Sequence, residues 1–117
     1  MTSEELCLLI ERNVRGIGEE AYVQIALQRL FTKQKIAHER ERWLSKKDRI
    51  DFLIGTVGVE VKVRGGLAAV ISQLERYAAS DLVSSLVLVS TKSTLCRVPT
   101  VLNGKPVHAA AILAGIV

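Results

Sequence analysis

Arg49-Ile-Asp-Phe-Leu-Ile-Gly-Thr-Val-Gly-Val-Glu-Val-Lys-Val-Arg64 is the stretch whose reading decides the fold. It holds two β-branched, apolar runs, Arg49 to Ile54 and Val57 to Arg64. Gly55-Thr56-Val57-Gly58 joins them, which is the signature of a β-hairpin. Side chains in a strand alternate between faces. Val59, Val61 and Val63 therefore share one face, and Glu60, Lys62 and Arg64 share the other. On the partner strand Ile50, Phe52 and Ile54 oppose Arg49, Asp51 and Leu53. A two-residue turn at Thr56-Val57 pairs Ile54 with Val59 and Asp51 with Lys62, and sets Glu60 diagonally from Asp51. That register buries Ile50, Phe52, Ile54, Val59, Val61 and Val63 together. It also gathers Asp51, Glu60 and Lys62, whereas a one-residue slip scatters both groups.

Outward from the hairpin, the pattern is regular. Ser3 followed by Glu4 and Glu5 marks a helix start, and that helix runs to about Arg15. Gly16-Ile-Gly18 breaks it. A second helix carries Tyr22, Val23, Ile25, Ala26, Leu27, Leu30 and Phe31 at amphipathic spacing. Ile36 to Leu44 reads as a charged strand. After Gly65-Gly66 a helix from Leu67 to Ser80 sets Leu67, Val70, Ile71, Leu74 and Ala78 on one side. Leu86 to Val89 is continuously apolar, as a strand buried on both faces requires. Asn103-Gly104-Lys105 is a turn, and Val107 to Leu113 is a last strand. The order ααβββαββ predicts an α/β fold, a mixed sheet flanked by helices. With 117 residues, residues 1–117 form a single domain, since domains cluster near about 100–150 residues.

Composition narrows the class. A hydrophobic fraction of 49% excludes a disordered chain. Cys7 and Cys96 form neither a metal-ligand spacing nor a disulfide framework, as expected for reduced thiols in a cytoplasmic protein. The acidic start Met1-Thr-Ser-Glu-Glu is unlike a signal peptide. The run Ala109 to Val117 is too short to span a bilayer as a helix, so no membrane partner is expected. The net charge is +4, and Arg29 to Arg49 holds eight basic residues against three acids. Such a segment reads either as a solvated surface or as a footprint for nucleic-acid phosphates.

Two carboxylates as close as Asp51 and Glu60 repel. A hard divalent cation relieves that repulsion, because Mg²⁺ takes one or two carboxylates together with waters and phosphate oxygens. The other reading of the same spacing is a surface ion pair between Asp51 and Lys62, which contributes little. His38 and His108 have no partner at metal spacing and read as structural. Trp43 reads as a core-edge residue or as a stacking surface for a base.

Ile50-Asp51 followed by Glu60-Val61-Lys62 resembles the active-site signature of the PD-(D/E)XK nuclease superfamily, with Ile50 where the family's proline stands. The element order over Gly16 to Val89 also resembles that family's restriction-endonuclease-like core. Gln73-Leu-Glu-Arg-Tyr77 resembles the QxxxY motif of its exonuclease-like branches, and the run Glu20 to Leu27 with Leu30 is similar to the helix of VRR-NUC members. The resemblance implies a Mg²⁺- or Mn²⁺-dependent nuclease acting on DNA, associated with the nucleoid, that leaves a 5′-phosphate. It implies that Asp51 and Glu60 ligate the metal, with the Val61 carbonyl and Glu20 (or Glu19) completing the set, and that Lys62 positions water. Gln73 and Tyr77 would support the site. Arg40, Arg42, Lys46, Lys47, Arg49 and Arg64 would grip the backbone. Holliday-junction resolvases share this core, so a homodimeric junction or flap endonuclease is one alternative. A binding or assembly subunit without cutting activity is another. The terminal run Val107 to Val117 is also a candidate partner interface, and the assembly expected is a homodimer or a larger oligomer.

Overall fold

The computed structural model describes residues 1–16 and 18–112. Helix α1 spans Ser3–Asn13 and helix α2 spans Glu20–Lys33. Strands β1 (Glu39–Trp43), β2 (Arg49–Ile54) and β3 (Val57–Val61) follow, then helix α3 (Leu67–Ala78) and strand β4 (Ser85–Ser90). A 3₁₀ turn at Leu95–Arg97 leads to the short β5 (Val101–Leu102) and to β6 (Lys105–Ala111). The six strands form one mixed sheet in the order β1-β2-β3-β4-β6-β5. The expected α/β class, a mixed sheet flanked by helices, is what forms, and it is consistent with a restriction-endonuclease-like core.

Local chemistry explains the ends. Helix α1 starts at Ser3 as expected, and Thr2 caps it with a capping box: Thr2 Oγ1 accepts the Glu5 N–H and Glu5 Oε1 accepts the Thr2 N–H, each at 3.1 Å. Helix α2 stops where Lys35 turns left-handed, at φ 57°. That turn consumes the first residues of the expected strand, so β1 begins at Glu39 rather than Ile36.

The sheet has an apolar layer on each side. On the α1 and α2 side, Leu6, Ile10, Val23, Leu27 and Phe31 pack on Phe52, Ile54, Val59, Val61, Val87 and Val89. On the α3 side, Val70, Leu74 and Tyr77 pack on Ile50, Leu53, Leu86, Leu88 and Val107. β4 contributes to both layers and every residue in it is buried, which is why Leu86 to Val89 is continuously apolar rather than alternating. Among the described residues no helix is long and apolar enough to cross a membrane.

The hairpin register departs from expectation in one respect. Ile54 pairs with Val57, Leu53 with Gly58 and Phe52 with Val59, so the turn is Gly55-Thr56. Gly55 has φ +60°, the left-handed value that a two-residue turn needs at its first central position and that threonine resists. The shift is two residues, so each side chain keeps its face, but Asp51 now lies level with Glu60 instead of Lys62. The regular pairing stops at Phe52 and Val59. Glu41, on β1 beside that point, has φ 52°. Beside this break, Ile50 leaves the Phe52 row and packs on the α3 side, where a Cβ on Gly58 would lie 2.5 Å from Ile50 Cδ1. Val63 stays half-buried against the α1 and α2 layer.

The last strand is β6, ending at Ala111. Leu113, and residues 113–117 of the terminal run, lie outside the described residues. The short β5 pairs Val101 with Pro106 and Leu102 with Lys105 across the expected Asn103-Gly104 turn. Its two residues were too few to show periodicity.

Candidate active site

The hairpin's open end brings Asp51 and Glu60 together at the end of β3, before the chain turns into α3. There side chains replace the missing backbone ladder. The Asp51 N–H donates to Glu60 Oε1 at 3.1 Å, and the Val61 N–H donates to Asp51 Oδ2 at 2.8 Å. A residue directs its N–H and its C=O to one edge of a strand, so the Val61 carbonyl lies on the same edge as Asp51. Glu60 is only 3% exposed. Its Oε2 lies 3.2 Å from the Tyr77 hydroxyl and 3.7 Å from Lys62 Nζ. The Lys62 backbone N–H donates to the Val89 carbonyl, which fixes the lysine beside the parallel β3–β4 pair.

Both expected members of the helical motif reach the site. Gln73 Nε2 donates to the Tyr77 hydroxyl at 2.8 Å, one helical turn along α3. The single phenolic proton of Tyr77 has two acceptors in reach, Glu60 Oε2 and the Arg49 carbonyl at 3.0 Å. Burial, reinforced by the charge of Glu60, holds the Tyr77 pKa well above that of a free phenol, so this group stays a proton donor.

The electrostatics of the pair are unfavourable without a cation. Burial, then the charge of Asp51, pushes the Glu60 pKa up from 4.5 to about 8, against the Asp51 N–H, Lys62 and Tyr77. Burial also raises Asp51; the Val61 N–H opposes this and the nearby Glu20 adds to it. Below about pH 8 a proton on Glu60 relieves this repulsion; above it, one lysine faces two desolvated carboxylates.

The remaining expected residues are placed as follows. Glu20 Oε1 accepts the backbone N–H of Val63 at 3.1 Å, which ties α2 to the chain leaving β3 close to the carboxylate pair. Glu19 instead pairs with Arg64, and both are exposed. Among the described residues no three His, Cys, Asp or Glu side chains converge on one point. Arg40 is a strut rather than an open grip. It donates to Gln28 and Gln24 of α2, and its guanidinium sits 5.6 Å from the Phe52 ring centroid. Arg42 lies beside Glu39 at 3.8 Å. Lys46, Lys47 and Arg49 are exposed in and after the β1–β2 turn. His38 Nδ1 is 2.8 Å from the Ile36 carbonyl and its ring packs beside Phe31 and Phe52, a structural role.

The backbone donors of Asp51, Val61 and Val63 were invisible to a reading of side-chain pattern, because no residue type announces them. The donation from Lys92 Nζ to the Gly65 carbonyl at 3.1 Å is likewise without sequence signal. No protein-family model, curated protein sequence or solved structure matches the chain.

Proposed function

We propose that this protein is a divalent-metal-dependent nuclease that hydrolyses phosphodiester bonds of DNA. One observation carries the reading: Asp51 and Glu60 are held side by side, desolvated and short of positive charge, at the end of an otherwise apolar hairpin. The donor set fits Mg²⁺ or Mn²⁺. It offers two hard carboxylates and, on the same strand edge, the Val61 carbonyl. Mg²⁺ characteristically combines so few protein donors with water and substrate oxygens. Bound there, the ion would supply charge stabilisation at the scissile phosphate and a more acidic water.

The chain's own residues do the rest. Tyr77, oriented by Gln73, holds Glu60 in place. The Val61 N–H does the same for Asp51. Lys62 carries a positive charge beside Glu60, positioned to orient water or to balance charge developing on phosphate oxygens. Glu20 anchors the backbone at Val63 and adds negative potential near Asp51.

A Mg²⁺- or Mn²⁺-dependent cleavage assay on single-stranded, duplex, flapped and four-way DNA tests this reading. Cleavage is expected from wild type and not from Asp51→Ala or Lys62→Ala, while both variants still bind DNA. Equal cleavage by wild type and Asp51→Ala contradicts it. One observation favours the rival reading of a binding subunit without cutting. Both oxygens of Glu60 are already engaged within the protein, and no third acid converges beside them. Absence of metal-dependent cleavage on every substrate, with DNA binding intact, would establish that rival.

A further inference from the structure

The turn between β1 and β2 carries the chain's single tryptophan, and it is not in the core. Trp43 is 55% exposed. It ends β1, an edge strand, paired across from Arg49. The Arg49 guanidinium sits 5.3 Å from the indole centroid, a cation–π contact that orients the ring while leaving much of it open. Trp43, Leu44, Ser45 and Lys46 line a shallow recess of about 420 Å³. Lys46 and Lys47 are exposed in the same turn. The one acid there, Asp48, is taken up by Arg76 at 3.1 Å. The turn is thus an aromatic plate rimmed by Lys46, Lys47 and Arg49, none of which forms a salt bridge among the described residues.

We infer that Trp43 is a stacking platform for an unpaired nucleobase of single-stranded nucleic acid, with Lys46, Lys47 and Arg49 holding the adjoining phosphates. Every base has a π-face, so this recognition is sequence-tolerant, and a cationic rim beside an aromatic plate is the chemistry that strand binding uses. A duplex keeps its bases stacked inside and offers no such face. The platform is near the carboxylates: Arg49 is two residues from Asp51, about 7 Å along the strand, and its carbonyl accepts from Tyr77. The inference deepens the proposed nuclease reading by naming its substrate as a strand with an unpaired base close to the cut, but the binding itself needs no metal and no cleavage.

The single tryptophan makes the test direct. The full chain is titrated with short oligothymidylate in EDTA, which separates stacking from cutting, while indole emission and the anisotropy of a labelled oligonucleotide are followed. Expected are quenching of the emission and a loss of affinity of about tenfold in Trp43→Ala. Trp43→Phe, which keeps a ring, restores most of the binding. An abasic strand of equal charge binds more weakly and quenches less, and a duplex leaves the emission unchanged. The inference is overturned if Trp43→Ala binds as wild type does, or if the abasic strand quenches equally. It is also overturned if only phosphatidylserine-containing vesicles, and not oligonucleotides, shift the emission. Loss of cleavage in Asp51→Ala with quenching intact would leave the platform standing, and quenching without any cleavage would count against the nuclease reading alone.

Discussion

At its turn end the β2–β3 hairpin is an ordinary ladder, with Phe52 opposite Val59, Ile54 opposite Val57, and a glycine taking the left-handed turn position. At its open end the ladder stops, and Asp51 and Glu60 complete the backbone bonding with their carboxylates. The first end buries apolar rows and stabilises the fold. The second buries two carboxyl groups that cannot both ionise there without cost. The thirteen residues of one hairpin, Arg49 to Val61, therefore divide between an end that packs the core and an end that holds two opposed carboxyl groups.

Substitutions test the division. Phe52→Ala removes a fully buried ring that packs edge-on to Phe31 at 5.3 Å, and is expected to cost about 3–5 kcal/mol in urea unfolding. If that loss were under about 1 kcal/mol, the turn end would not be the stabilising half. The next effect is pH-dependent. The folded pKa of Glu60 lies above its ordinary value, at about 8 against 4.5. Its contribution to stability is therefore complete below pH 4.5 and is lost as pH rises towards about 8. The metal-free protein should lose stability over that window, followed by thermal melting. Mn²⁺ should restore it most at the alkaline end, because ligands bind metal only when deprotonated.

Asp51→Asn relieves the repulsion and is expected to raise metal-free stability at alkaline pH by about 0.5–2 kcal/mol while abolishing cleavage. Destabilisation at that pH would mean that Asp51 is held chiefly by the Val61 N–H rather than opposed by Glu60. The smallest contrast concerns the basic segment. Arg40→Ala, which loses its bonds to Gln24 and Gln28 and its contact with Phe52, should cost about 1 kcal/mol of stability. Lys46→Ala should change stability by less than about 0.5 kcal/mol and weaken DNA binding, with a shallower salt dependence.

The division between the two ends also marks what was legible beforehand. The apolar rows apart from Ile50, the order of elements apart from β5 and the nearness of Asp51 and Glu60 follow from a period of two and a period of 3.6. Gln73 and Tyr77 were readable as one helix face. The turn position was not, because Thr56-Val57 and Gly55-Thr56 leave every side chain on the same face, and only the φ that the turn demands separates them. Ile50's change of layer accompanies the left-handed backbone at Glu41 and the end of the β2–β3 ladder at Phe52, which no side-chain alternation encodes. Arg40 looked like part of a charged surface because its partners, Gln24 and Gln28, lie on a helix distant in sequence.

Direct metal binding tests the central claim most simply. Mn²⁺ titration of the full chain by calorimetry, without nucleic acid, should show binding that strengthens from pH 6 to pH 8.5 as Glu60 gives up its proton, and that disappears in Asp51→Asn. Binding that is unaffected by Asp51→Asn, or no binding at either pH, would contradict the assignment of Asp51 and Glu60 as a metal-holding pair.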